Sequence, residues 1–185
     1  MYNENKVEID RKIAGLLCSA ILSDTLLFRS PTCTAVDKAA ALELAEIAGV
    51  DAESLAKEMF EAGSKLKGKT DSEIFYQDFK RFTAGKLTFG VGQITSLNVE
   101  ELGKIKERLI EYIGEARNEQ KVDMMFFMMT NILEQSTELI CDGQGAEQLA
   151  ALAFHLKEGA KVVTLPGVVS RKKQLIPALM IATEQ

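Results

Sequence analysis

The chain has 185 residues, 46% of them hydrophobic and 26% charged, which suits one domain or two small ones with a packed core. Its net charge of -5 argues against a general nucleic-acid surface, so any grip on a polyanion must be local. No apolar run approaches the roughly 18 residues of a membrane span, and Met1-Tyr2-Asn3-Glu4-Asn5-Lys6 lacks the form of a signal peptide.

Residues 1–9 are polar, as at the edge of something truncated. Asp10 predicts a helix cap, and Ile13, Leu16, Leu17, Ala20 and Ile21 predict an apolar stripe on a helix ending near Leu22. Asp24 stands where that helix gives way to a loop marked by Pro31. Its carboxylate either caps local backbone donors or serves as a hard-metal ligand. Thr34 with Asp37 has the spacing of a capping box, opening a helix with Val36, Ala40, Leu44 and Ile47 inward and Gly49 at its end. Asp51 caps the next helix, through Leu55, Met59 and Ala62 to Gly63, so the two form a helical hairpin. Residues 64–70 read as a Lys-rich mobile loop and a domain junction. Asp71 then starts a short helix through Ile74 and Phe75.

From Asp78 the hydrophobic period changes. Residues 79–83 and 87–94 predict two strands joined by a hairpin. Gly90 and Gly92 fall inside the second, where they fit close backbone approach better than a dinucleotide loop. Asn98 predicts the cap of an amphipathic helix over 99 to about 115, with Leu102, Ile105, Leu109, Ile110 and Ile113 inward. The unbroken run Met124-Met125-Phe126-Phe127-Met128-Met129-Thr130 predicts a strand covered on both faces. Residues 136–141 predict another strand, and 146 to about 156 a helix containing His155, expected to be structural or superficial. Residues 161–165 and 167–169 predict further strand, ending at a cationic cluster. The fold class is therefore α/β: an N-terminal helical segment, then a mixed β-sheet flanked by helices, with an early hairpin and later strand–helix–strand crossovers.

The chemistry concentrates in Gly167-Val168-Val169-Ser170-Arg171-Lys172-Lys173-Gln174. Arg offers a rigid fork of donors to phosphate oxygens and Lys a compact point charge, so this stretch suits a small polyanion such as phosphate or diphosphate. The competing reading is a solvated basic turn before a last helix. The cysteines, Cys18, Cys33 and Cys141, form no CxxC pair, so neither a disulfide framework nor a zinc site is expected, and a reducing cytoplasm is the expected compartment. His155 is the only histidine, so this chain alone builds no multi-histidine metal centre.

Three motifs carry a resemblance. Ala20-Ile21-Leu22-Ser23-Asp24-Thr25-Leu26-Leu27-Phe28-Arg29-Ser30-Pro31-Thr32-Cys33-Thr34 resembles the end of the catalytic DHH domain of family II, manganese-dependent inorganic pyrophosphatases. Ala48-Gly49-Val50-Asp51 is similar to the helical hairpin that follows there, and Val168-Val169-Ser170-Arg171-Lys172-Lys173-Gln174 to the signature of the C-terminal DHHA2 domain. The resemblance implies a DHH remnant over 1–34, a helical hairpin and linker over 35–70, and a DHHA2 substrate-binding domain over 71–185. It implies that Asp24 ligates catalytic manganese (or cobalt or magnesium), that Lys80, Arg171 and Lys172 bind substrate, and that Lys173 is a further candidate. The implied parent is a diphosphatase acting on diphosphate. It would be cytoplasmic, without nucleic-acid or membrane partners, with the remaining DHH domain in cis, and able to homodimerise. Its two domains would close over substrate. The chain departs from the family by lacking the other DHH-domain metal ligands, so an incomplete metal site and no turnover by the isolated 185 residues are expected. Alternatives are an exopolyphosphatase-like DHH phosphoesterase fragment and a non-catalytic phosphate-binding module.

Overall fold

The computed structural model describes residues 8–63, 66, 68–97 and 99–184. They fall into two compact units, Met1–Gly63 and Ser64–Gln185. Asn98, the expected helix cap, lies outside the described residues, as do Ser64, Lys65 and Lys67 of the expected loop and residues 1–7.

The first unit is helical: α1 (Arg11–Asp24), α2 (Ala35–Ala48) and α3 (Ala52–Gly63). The Asp10 carboxylate accepts from the Lys12 and Ile13 amides at the start of α1, and Thr34 and Asp37 form a reciprocal capping box on α2. Gly49 ends α2 in the left-handed region, φ 68°, where only glycine is unstrained. The expected apolar stripes are corrected. Buried side chains are Ala14, Cys18 and Leu22 on α1, and Ala41, Leu44, Ala45 and Ala48 on α2. Leu16 is 67% exposed and Val36 75% exposed, and Leu17, Ile47 and Ala62 also face outward. The reason is close approach: a Cβ on Gly15 would lie 3.8 Å from Ala48 Cβ, and Cys18 Sγ reaches Ala41 O at 3.4 Å. Small side chains make the closest approach, with Leu22 and Leu44 packed beside them, and Leu16, Leu17, Val36 and Ile47 stay outside. Helix α1 also runs on past Leu22 to Asp24.

The second unit is a five-stranded sheet in the order β1 (Phe79–Ala84), β2 (Leu87–Ser96), β3 (Met124–Asn131), β4 (Ser136–Asp142), β5 (Val162–Pro166). Only β2 and β3 run parallel, joined by α5 (Val99–Gln120). All other neighbours are antiparallel, so the passage through α6 (Ala146–Ala153) is a return and not a parallel crossover. The sheet is mixed, as expected. All eight residues of β3 are buried, which the unbroken apolar run required. On one face Phe89, Val91, Phe126, Met128 and Leu139 pack with Leu149 of α6 and Leu179 of α7 (Ile176–Ala182). On the other, Met125, Phe127 and Met129 pack with Phe75 of α4 (Asp71–Phe75) and with Leu109 and Ile113 of α5.

Gly90 and Gly92 make the expected close approach. A Cβ on Gly92 would lie 2.5 Å from the Phe127 ring and 3.0 Å from the Phe75 carbonyl oxygen. Other expectations are revised. Leu66 is buried, and its amide donates to Glu101, so this point of the 64–70 segment is held and not free. Helix α6 stops at Ala153, and His155 lies beyond it, exposed, at φ 53°. Residues 167–169 are not strand: Gly167 turns the chain at φ 76°, and Val168 and Val169 are buried in the following loop.

At the end of β4, Asp142 receives Arg117 Nε at 2.7 Å and Lys161 Nζ. Burial pushes its carboxyl up, but the two cations outweigh burial and hold it below the usual carboxylate range. A depressed carboxylate stabilises the fold above its unfolded pKa of about 3.9 and loses that contribution as pH falls through the lower folded value. Asp142→Asn is expected to lower stability at neutral pH and to flatten its fall in acid, as followed by urea unfolding at a series of pH values. An unchanged acid slope would show that the cluster contributes nothing.

Candidate functional site

The cationic stretch begins as a loop and ends in a helix. Residues Arg171–Leu175 form a π-helical turn that runs straight into α7. The Ser170 hydroxyl caps it by accepting from the Lys173 amide at 3.2 Å. Gln174 staples the loop before it: Oε1 accepts from the Val169 and Ser170 amides at 2.9 and 3.0 Å, and Nε2 donates to Gly167 O at 2.6 Å. These amides would otherwise stand unpaired at a helix start.

A row of polar side chains binds the loop to the sheet. Thr137 Oγ1 donates to Val168 O at 2.6 Å and lies 2.9 Å from Thr130 Oγ1, both fully buried. Gln93 Nε2 reaches Thr130 Oγ1 and Val169 O, each at 3.5 Å. The sequence reading passed over these residues. Their signal was there as polar positions at period two in apolar strands, on the face of the sheet that carries α6 and α7.

Arg171 is not part of a solvated turn, since it is only 7% exposed. Its Nη1 donates to Asp78 O at 2.7 Å and Val91 O at 3.2 Å, and its Nη2 to Asp78 Oδ1 at 2.7 Å. Three bonds thus hold a guanidinium that carries five donors. Lys172 and Lys173 are exposed on the same turn. Lys80 is exposed on β1, directly opposite Val91. Opposite residues of an antiparallel pair project to one face. Lys80 therefore shares the face of Val91, and Val91 is the strand residue whose carbonyl takes the Arg171 guanidinium. Arg171 is thus fastened against the sheet face that carries Lys80, and Lys172 and Lys173 are exposed on the same turn.

In the first unit Asp24 is the exposed last residue of α1, with no hydrogen-bond or ion-pair partner among the described residues. Local capping is done by Thr25, whose Oγ1 donates to Ile21 O at 2.7 Å and accepts from the Phe28 amide at 3.3 Å. A carboxylate at a helix C-terminus opposes the helix dipole. Beyond it Leu26, Leu27 and Phe28 all take left-handed backbone, φ 49°, 50° and 65°. Such conformations cost roughly 1–2 kcal/mol per L-residue and concentrate near functional groups. One carboxylate does not make a divalent-ion site, and among the described residues no group of three His, Cys, Asp or Glu side chains is placed to hold an ion.

Residues 57–182 match the family model of the DHHA2 domain. The manganese-dependent inorganic pyrophosphatase of Bacillus subtilis is 42% identical over 179 residues, covering 97% of this chain and 58% of that protein. A cobalt-dependent inorganic pyrophosphatase of Clostridium perfringens is 42% identical over 178 residues, which are 96% of this chain and 32% of the relative. A crystal structure from Methanococcus jannaschii, assigned to family II inorganic pyrophosphatases, superposes with a TM-score of 0.85 at 36% identity, covering 97% of this chain and 58% of that one. The chain therefore spans less than two thirds of each of these proteins. It belongs to the DHHA2 domain family and matches the C-terminal part of manganese-dependent family II inorganic pyrophosphatases.

Proposed function

We propose that the whole protein hydrolyses inorganic diphosphate to two phosphates, and that this chain supplies its substrate-clamping cations together with one metal ligand. The observation that carries the reading is the fastening of Arg171 to Asp78 and to Val91, the strand partner of Lys80. Arg171, Lys172 and Lys80 neutralise charge on the bound diphosphate and on the leaving phosphate, with Lys173 at the rim. Preorganised cations contribute most where charge grows as the bond breaks, and two contacts to backbone carbonyls with a third to the Asp78 carboxylate make Arg171 the most preorganised of them. Asp24 ligates a divalent ion, manganese or cobalt by analogy with the relatives, whose other ligands are not among the described residues. In this reading residues 1–34 belong to the metal-holding domain, 35–70 connect, and 71–185 bind substrate.

The test is titration calorimetry of the 185-residue chain with sodium diphosphate. Lys172→Ala is expected to weaken binding about tenfold, the worth of one partly solvated charge-assisted contact. The same chain with manganese present is expected to release no phosphate at a useful rate. Manganese-dependent release free of host enzyme would overturn that expectation, and equal affinity of the Lys172→Ala variant would remove the cationic turn from the site. Tighter binding of tripolyphosphate than of diphosphate would move the reading to a polyphosphate hydrolase.

A further inference from the structure

We infer that Asp78 is a positioning residue of the diphosphate grip, aiming the Arg171 guanidinium and acting on substrate only through it. The inference rests on the diphosphate reading above. Among the described residues Asp78 is the one carboxylate bonded to the cationic cluster, and its side chain is 52% exposed. A carboxylate repels a diphosphate, so its presence there needs a reason.

The reason lies in how the guanidinium is held. Nη1 is shared between two backbone carbonyls, Asp78 O and Val91 O. Those oxygens belong to the β1–β2 ladder, where the Gln93 amide also donates to Asp78 O at 3.0 Å. They fix one point of the guanidinium, and about one point a planar group pivots. The bond from Nη2 to Asp78 Oδ1 supplies the second point and so sets the plane. Arg earns its place at anion sites by presenting donors in a fixed plane. Arg171 lies almost wholly within the fold, so its remaining donors meet a phosphate oxygen only in the orientation its anchors allow.

Two roles for Asp78 make opposite forecasts. A carboxylate that merely competed with diphosphate for Arg171 would, once removed, leave binding tighter. A carboxylate that aims Arg171 would leave it weaker. Asparagine at 78 keeps an oxygen acceptor for Nη2 without the charge, and alanine removes both.

The experiment is calorimetry of the 185-residue chain with sodium diphosphate, each variant first checked for an intact thermal transition. Asp78→Ala is expected to weaken binding about tenfold, as for one charge-assisted contact, with Asp78→Asn recovering most of the loss. In an Arg171→Ala background, Asp78→Ala is expected to change affinity by less than about twofold, whereas with Lys172→Ala the two losses should multiply. The double variant Asp78→Ala with Arg171→Ala leaves neither charge unpaired, which keeps the cycle measurable if the single variant folds poorly. Unchanged or tighter binding in Asp78→Ala, or a full further loss on top of Arg171→Ala, overturns the inference. If Lys172→Ala weakens binding and Asp78→Ala does not, the inference alone fails. If the unsubstituted chain takes up no diphosphate, the functional reading fails, and the inference with it.

Discussion

Arg171→Ala is expected to reduce diphosphate affinity by on the order of 1.5–3 kcal/mol, the worth of hydrogen bonds to a charged group. Arg171→Lys is expected to recover little of it. A lysine ammonium is a point donor on a flexible stem and cannot span Asp78 O, Val91 O and Asp78 Oδ1 at once. The alanine variant also leaves Asp78 without its cation, although its half-exposed carboxylate keeps water, so the stability loss should stay below that of a deeply buried broken pair. Calorimetry with diphosphate, beside thermal unfolding of the same samples, separates the two effects. A lysine variant that binds as tightly as the parent would show that charge alone, and not the fork, is what the site uses.

The largest stability effect is expected at Phe127→Ala, about 3–5 kcal/mol for a fully buried aromatic ring that neighbours cannot replace. Phe127 sits in the central strand, its ring stacked on Phe75 at 4.7 Å and lying where Gly92 has no side chain. The space it fills is bounded by the bare Gly92 backbone and the Phe75 ring, so the cavity left by alanine has rigid walls. Urea unfolding is the measurement, with Phe127→Leu expected to lose clearly less. A loss under about 1 kcal/mol in the alanine variant would mean that the sheet and α4 close over the gap.

The legible parts of the sequence were those where one local rule decides. Asp10, and Thr34 with Asp37, cap helices as their spacing predicts, because capping is settled within four residues. The unbroken apolar run at 124–130 became the central strand, because only a doubly covered strand tolerates it. The first unit was misread for a tertiary reason. Hydrophobic stripes point to large side chains, yet of these Leu44 is buried while Leu16, Leu17, Val36 and Ile47 are exposed, and Ala14, Cys18, Ala41 and Ala45 fill the interface where the helices approach closely. Val168 and Val169 look like strand, but their backbone is claimed by Thr137 and Gln174, from elsewhere in the chain and from beyond Ser170. At the site, the cations were visible as residue types. Asp78, Gln93, Thr130 and Thr137 were not, because their meaning is a partner up to 93 positions away.

The π-helical turn at Arg171–Leu175 has an evolutionary consequence. At one end Arg171 is tied to the sheet, and at the other Leu175, Ile176 and Leu179 are buried in the core. An α-helix advances about 100° per residue, so losing one residue between these moorings would swing the arginine well off its carbonyls, and gaining one would do so in the opposite sense. The segment between them is a single π turn, a form that occurs often at functional sites. Side chains along this segment are open to exchange, but its length is not. Insertions and deletions among related chains should therefore stop short of it on both sides.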